Sequence, residues 1–226
     1  MSNDLAIQST LPKYLKEFDG VPLGNEGVEA SQLAVPRLIL VQKSSEIPDA
    51  KAGDFVDKVS GTNYGTSFTC INLQFKENFI IMNSFNAGGG IFGPWNTQEE
   101  AEQEIPTTIK ENKLDEKNVD VWRQHNHLLY IADKNQDLNP LPVVWSIRSS
   151  AIKPSRNWNT QITAKGGHRF SYVWTVKSVV QKKDNFSWHN FETDVLRSGE
   201  TGNPLYTPEK LVENIKEMVL DPNFSF

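Results

Sequence analysis

Arg169-Phe-Ser-Tyr-Val-Trp-Thr-Val-Lys-Ser-Val-Val-Gln181 is the stretch of the chain that decides its fold class. It is rich in β-branched and aromatic residues and contains neither glycine nor proline, which predicts one long β-strand. Side chains alternate between the two faces of a strand. One face therefore takes Phe170, Tyr172 and Trp174, and the other takes Arg169 and Lys177.

Further strand signals flank this segment. Phe186 to Thr193 predicts a hairpin partner, joined through the turn Lys182-Lys-Asp-Asn185. Ser67 to Phe75 and Asn78 to Phe85 predict a second hairpin, and the other strand signals are Arg37 to Gln42, Asp54 to Val59, Val119 to Asp133 and Val143 to Ser149. Roughly seven or eight strands with few helices predict a mainly β chain. We expect an antiparallel barrel of the oligonucleotide-binding type, with insertions and a C-terminal helix.

Three segments after the N-terminal lead-in carry helical signals. Thr97 to Lys117 opens with a capping box, in which Glu100 follows Thr97 by three residues. Ser150 to Ala164 accepts Pro154 only in a first helical turn. The last helix has Thr207 as its cap and Pro208 at its first position. Its apolar stripe is Leu211, Ile215, Met218 and Val219.

These elements predict the organisation of the chain. We expect an irregular N-terminal lead-in over 1–34 and a nucleic-acid-binding barrel over 35–206. The C-terminal helix and a short tail follow over 207–226. Between the strands, Ala87 to Trp95 contains three successive glycines and predicts a flexible loop that holds Phe92 and Trp95.

Charge is unevenly distributed along the chain. The whole sequence has 23 cations and 28 anions. Residues 141–190 hold eight of the cations and one anion, Asp184, which leaves 15 cations and 27 anions elsewhere. Flat rings are interleaved with these eight cations. Phosphates attract positive charge and unpaired bases stack on rings, so this segment predicts binding of single-stranded nucleic acid.

The candidate site follows from that segment. We expect cations to neutralise phosphates at Arg148, Lys153, Arg156, Lys165, Arg169 and Lys177. We expect bases to stack on Trp158, Tyr172 and Trp174, with Phe92 and Trp95 from the glycine loop as further rings. Lys153 and Arg156 share one face of the predicted helix, whereas Trp158 points elsewhere and is also a candidate for the core. For Trp174 and Phe170, a core position is an equal alternative.

Cysteine content and hydropathy point to an intracellular protein. Cys70 is the single cysteine, and apolar neighbours in a predicted strand mark it as a small buried residue. No stretch approaches the ~20 apolar residues of a membrane span, and the N-terminus lacks an apolar signal core. We expect no cofactor, no metal and no membrane partner, and a location in the host cytoplasm.

Several short segments resemble the replicative single-stranded DNA-binding proteins of tailed phages. The matching segments occur in order: residues 35–42, 52–55, 64–65, 88–90, 149–159 and 170–176. The resemblance implies an oligonucleotide-binding barrel that coats exposed DNA during phage replication or recombination, with replication or recombination proteins as further partners. The terminal Asp221-Pro-Asn-Phe-Ser-Phe226 departs from the dense acidic tail that such proteins often have.

Two other classes of function compete with this one. A metal-dependent nuclease would need clustered ligands, and His125 and His127 share a strand face with Asp133 nearby. A protein-interaction or virion component with a β-sandwich fold would show the same strand pattern, because rings are also enriched at protein interfaces. RNA as the ligand also stays open, because ring platforms accept both sugars.

Overall fold

The computed structural model describes residues 36–45, 47–132 and 142–220. Its strands are β1 (Arg37–Leu40), β2 (Phe55–Asp57), β3 (Asn63–Gly65), β4 (Ser67–Asn83), β5 (Ile91–Trp95), β6 (Val119–Ile131), β7 (Val143–Arg148), β8 (Val173–Lys183) and β9 (Phe186–Val195). Its α-helices are α1 (Gln98–Asn112), α2 (Ile152–Lys165) and α3 (Glu209–Leu220). The lead-in expected at 1–34 and the last six residues lie outside the described ranges.

All nine strands belong to one sheet that curls into a half-barrel, which confirms the mainly β class with a C-terminal helix. The strand order is β3-β2-β1-β7-β6-β4-β8-β9, and β5 pairs with β4. One pair departs from the expected antiparallel arrangement, because β1 and β7 run parallel with Leu38 beside Trp145. Parallel neighbours need a long connection, and here that connection contains β2 to β6.

The strand β4 replaces a predicted hairpin. It runs unbroken from Ser67 to Asn83, and residues 76–78 pair with residues 124–126 of β6. The predicted turn is wrong because Lys76-Glu-Asn78 contains no glycine or proline, so the backbone continues while the side chains meet polar groups. A bulge after Asn72 interrupts the register and bends the long strand.

Two apolar clusters lie on the two faces of the sheet. One contains the fully buried Trp174 and Trp158 together with Cys70, and α2 covers part of this face. The other contains Leu128 of β6 and is covered by α3. The alternation of neighbouring residues along β4, β6 and β7 between these clusters follows from the two-residue period of a strand.

The two predicted helix caps have different outcomes. The Thr97 hydroxyl accepts a hydrogen bond from the Glu100 N–H at 3.1 Å, and the Glu100 carboxylate accepts from the Thr97 N–H at 3.3 Å, so the capping box is confirmed. The helix α3 begins at Glu209, so the predicted cap at Thr207 and first position at Pro208 are each one residue too early, and the Thr207 hydroxyl donates to the Phe170 carbonyl. The stripe on α3 is confirmed by the burial of Ile215.

The start of β8 differs from the sequence expectation. Arg169–Ser171 form a 3-10 turn, and β8 begins at Val173. The Ser171 hydroxyl closes the turn by accepting from the His168 N–H at 2.9 Å. Arg169 is therefore not on the same strand face as Lys177, although the sequence pattern placed both there.

The free edge of β9 is joined to the end of β1 by a side chain. The Gln42 amide donates to the His189 carbonyl and accepts from the His189 N–H, both at 2.9 Å. It thereby takes the place of a neighbouring strand. Gly53 allows this approach, because a Cβ there would lie 2.7 Å from His189 Nδ1.

Candidate nucleic-acid interface

The helix α2 presents its cations to solvent and its aromatic residue to the core. Lys153 and Arg156 are exposed, whereas Ser155, Trp158 and Ile162 are buried. Buried positions three and four residues apart form one face of a helix, so the opposite face is left to the cations. Pro154 lies in the first turn, where its missing N–H costs no hydrogen bond.

A groove of about 940 Å³ runs between α2 and the β8–β9 hairpin. We call it the α2–hairpin groove; its lining is Ser149, Ser150, Ile152, Lys153, Pro154, Arg156, Asn157, Gln161, Gln181, Phe191, Glu192 and Thr193. Ser149 turns the chain from β7 into this region with a left-handed φ of 54°. The lining combines two cations, several amides and hydroxyls, and one acid, Glu192.

A second, shallower groove of about 420 Å³ continues from the first. The two share Ser149, Ile152 and Arg156, and the second adds Phe79, Gln98, Val121, Trp122 and Arg123. The Arg123 guanidinium lies 5.6 Å from the centre of the Phe79 ring, and its Nε lies 3.6 Å from a Glu77 carboxylate oxygen. Arg156 therefore lies where the two grooves meet.

Three of the six predicted cations lie in or beside the α2–hairpin groove. Lys153 and Arg156 line it. Lys177 is exposed on β8 and lies directly opposite the groove residue Glu192 on β9. Residues that pair directly across two strands share one face of the sheet, so Lys177 lies on the same face as Glu192, beside the groove and not in its lining.

The other three predicted cations lie away from this groove. Arg148 is half-buried at the end of β7, and burial together with the charge of Arg37 lowers its pKa. The Lys165 ammonium lies 5.7 Å from the centre of the Tyr172 ring. The Arg169 guanidinium lies 5.3 Å from the centre of the Phe75 ring, and burial lowers the pKa of Arg169 to about 10.

The prediction that Trp158 and Trp174 stack on bases is corrected to a core position. Both side chains are 0 % exposed, and the indoles meet edge to face at 6.1 Å between ring centres. Tyr172 is half-buried against Tyr206, with 5.1 Å between the ring centres, and its hydroxyl donates to the Lys165 carbonyl. These rings are buried because they contribute a large apolar area to the core. The sequence did not show this, because alternation along a strand does not identify which face is buried.

Phe92 and Trp95 lie on β5, where the sequence predicted a loop. Both are half-buried, and Trp95 pairs with Phe79 across the sheet. Phe79 also pairs with Arg123 on its other side. Trp95, Phe79 and Arg123 consequently form one row on a common face, and the row ends in the second groove.

Several residues near the grooves were not predicted as site residues from the sequence. Arg123 was not selected because it lies outside the basic segment. Trp188 and Phe186 belong to the predicted hairpin, and they share a strand face with the groove residue Gln181. Phe186 is 75 % exposed, so it offers an open ring at the hairpin tip. Its position beside the turn lysines was the signal that could have identified it.

The metal-ligand alternative has no cluster to support it in the described ranges. No group of three or more histidine, cysteine or acidic side chains there could hold a metal ion. His125 and His127 instead bond to the hydroxyl of Ser155. Asp133 lies outside the described residues.

Comparison with known proteins places the chain in a phage family. The sequence model of the family described as Pam3 phage gp34-like protein matches residues 5–218. Because this match covers almost the whole chain, the protein belongs to the Pam3 phage gp34-like family and is a phage protein. No curated protein and no solved structure gives a significant match.

Among the helices in the described part of the chain, none is both long enough and apolar enough to cross a membrane.

Proposed function

We propose that the protein binds single-stranded DNA without strong sequence preference, and coats it during phage DNA replication or recombination. The single observation that carries this proposal is the α2–hairpin groove with Lys153 and Arg156 on its wall. Neither cation forms an ion pair with a described acid, so both charges are available to phosphates. Binding of phosphate would release counterions, which is the main source of affinity for nucleic acid.

The start of α2 favours an anion at the same end of the groove. The first turn of α2 contains no acid, and Ser149 and Ser150 precede it with exposed side chains. The aligned peptide dipoles of a helix give its N-terminal end partial positive charge. This end therefore adds to the charge of Lys153 rather than opposing it.

Rings at both ends of the combined grooves supply the platforms for bases. Trp95 lies at one end, beside the buried Phe79, and Trp188 and Phe186 lie on the hairpin at the other. A base stacked on a ring contributes about 1–3 kcal/mol whatever its identity. Stacking on rings together with non-directional contacts to phosphates supports tolerance of sequence.

The Arg156→Ala variant tests this proposal through the salt dependence of binding. We expect the slope of log affinity against log salt concentration to become less steep by about 0.7, because one phosphate contact is lost. The measurement is fluorescence anisotropy of a labelled oligothymidine over a series of salt concentrations. Lys58→Ala, which removes an exposed cation outside both grooves, is the matched control and should keep the wild-type slope. An unchanged slope for Arg156→Ala would contradict the proposal.

A protein-interaction function is the second candidate, and a different observation favours it. Phe85 is 90 % exposed and Ile91 is 53 % exposed, on either side of the glycine turn between β4 and β5. Exposed apolar groups of this kind mark contact sites between proteins when they form a patch. This candidate predicts no affinity for oligothymidine at any salt concentration, which the same titration measures.

A further inference from the structure

A buried serine on α2 lies between two histidines of the sheet. The Ser155 hydroxyl oxygen is 2.7 Å from His125 Nδ1 and 2.8 Å from His127 Nε2. Ser155 and His127 are 0 % exposed, and His125 is 2 % exposed. Ser155 belongs to the same helix as the groove cations Lys153 and Arg156, one residue from Arg156. The hydrogen bonds behind the helix therefore fix the position of the cations in front of it.

A carboxylate lies at one end of this series of hydrogen bonds, and a guanidinium lies at the other. At one end, His125 Nε2 lies 2.9 Å from a Glu77 carboxylate oxygen. At the other end, the Asn72 amide nitrogen lies 2.9 Å from His127 Nδ1, and the Arg169 guanidinium donates to the Asn72 oxygen at 3.3 Å. We call the six groups from Glu77 to Arg169 the α2 relay.

The carboxylate end fixes the direction of the first half of the relay. An ionised carboxylate only accepts, so His125 must donate to Glu77 through Nε2–H. A neutral imidazole has one N–H, so His125 Nδ1 is then an acceptor, and the Ser155 hydroxyl must donate to it. Having given its one hydrogen, the Ser155 oxygen is left as an acceptor for His127.

The guanidinium end fixes the same direction independently. A guanidinium only donates, so the Asn72 oxygen faces Arg169 and the Asn72 NH₂ faces His127. His127 Nδ1 must then accept, which leaves its N–H on Nε2, pointing at Ser155. All five hydrogen bonds of the relay are satisfied when both imidazoles are neutral, and the bond from Asn72 requires a neutral His127.

One proton added to His127 breaks the relay. A protonated His127 has two N–H groups and no acceptor nitrogen, so the Asn72 NH₂ would meet an N–H where it now donates, and turning the amide would set that NH₂ against the Arg169 guanidinium. A proton on His125 breaks no bond, because the Ser155 oxygen can accept from both imidazoles. A buried pair of facing donors loses its hydrogen bond and keeps the cost of desolvation.

We propose that the α2 relay is an acid-sensitive latch, which docks α2 on the sheet at neutral pH and releases it on acidification. This inference rests on the proposed function, because the released helix carries Lys153 and Arg156 away from the groove and so weakens binding of single-stranded DNA. Ser155 is a positioning residue, since it acts on DNA through the placement of α2. The stacked Trp158 ring, 4.8 Å from the centre of His127, moves with the helix.

The charges around the imidazoles agree with this direction. Burial lowers the pKa of His127 well below its usual range, and Arg169 and His125 act in the same sense. Burial also lowers the pKa of His125; Glu77 opposes this, while Arg156 and Arg123 add to it. Both histidines therefore bind protons more readily once α2 is detached. Docking is complete above the usual histidine pKa of about 6.5 and weakens as the pH falls below it.

Hydrogen exchange of the α2 amides tests the latch in the wild-type protein without any ligand. After correction for intrinsic exchange rates, protection of α2 should fall about tenfold or more between pH of about 7.5 and about 5.5, since one titrating group contributes about tenfold per unit of pH. Protection of β4 and β6 should fall much less over this range. Equal loss in α2 and the sheet, or no loss in α2, would overturn the latch.

Variants and DNA separate the latch from the proposed function. Ser155→Ala should reduce α2 protection at neutral pH and remove most of its pH dependence, while Thr160→Ala on the exposed side of α2 should behave as wild type. Oligothymidine affinity should fall together with α2 protection. If α2 protection falls but no DNA binds at any pH, the proposed function is contradicted, and with it the control of DNA binding by the relay. The latch itself is then still supported, because it depends on α2 protection alone. The wild-type series decides the latch even if Ser155→Ala does not fold.

Discussion

Trp174 lies where two neighbouring layers of the fold meet. It is fully buried on β8, and the Trp158 indole of α2 packs against it edge to face. Its partner strand β4 places Cys70 directly beside it. A ring in this position supports the sheet and the helix together, so it contributes to stability rather than to contact with a ligand.

We expect Trp174→Ala to lower the free energy of unfolding by about 3–5 kcal/mol, because a large side chain leaves a cavity in a packed interior. Urea unfolding followed by circular dichroism measures this loss. Trp95→Ala is the matched control, because Trp95 is half-buried on β5 and should cost less. Equal losses for the two variants would contradict the core position of Trp174.

At the scale of single residues, the sequence predicted the exposure of the helix cations better than the burial of the aromatic rings. Lys153 and Arg156 were expected on an exposed helix face with Trp158 elsewhere, and the structure has them so. The strand pattern grouped Tyr172 and Trp174 on one face but did not identify which face is buried. That choice depends on α2 packing across the sheet, which is a long-range contact that local periodicity does not contain.

At the scale of the elements, a helix end is predicted correctly when the hydrogen-bond partner of its capping side chain lies within the same helical turn. The capping box of α1 connects Thr97 with Glu100 within one turn. Thr207 has the right residue type before α3, yet its hydroxyl bonds to Phe170 across the fold. The sequence signal was correct for the first, whereas for the second it placed the start of α3 one residue too early.

The capping box also gives a prediction for α1. Thr97→Ala should lower the free energy of unfolding by about 1 kcal/mol, since the Glu100 N–H loses its acceptor. Thr107→Ala, at an exposed position inside the same helix, should change it by less than about 0.5 kcal/mol. Thermal or urea unfolding of both variants provides the comparison, and a Thr97→Ala protein as stable as wild type would contradict the assignment.

For the long strands, the sequence predicted the type of element more reliably than its first and last residues. The β8–β9 hairpin appears where the sequence indicated, but β4 continues through residues that were expected to turn. Polar residues at 76–78 resembled a turn because the sequence alone did not show β6 beside them. The pairing of Glu77 with His125 supplies polar partners that make an unbroken strand favourable.

For the whole molecule, the grooves depend on contacts between distant parts of the chain. The α2–hairpin groove brings residues near 153 to residues near 192, and the second groove adds Arg123. The concentration of cations in 141–190 predicted the existence of a basic surface. It did not predict that half of the selected cations would lie elsewhere, because their positions depend on strand order and on the Gln42 contact that joins β1 to β9.

The central claim is that the α2–hairpin groove holds an unpaired DNA strand, and its most direct test is a binding titration. One labelled oligonucleotide is compared unpaired and as a duplex, with wild type, with Lys153→Glu/Arg156→Glu, and with Lys58→Glu/Lys110→Glu as the control of equal charge change. We predict preference of wild type for the unpaired strand, and a loss of about tenfold or more for the groove variant alone. Equal affinity of the groove variant and the control, or no binding by wild type, would contradict the account.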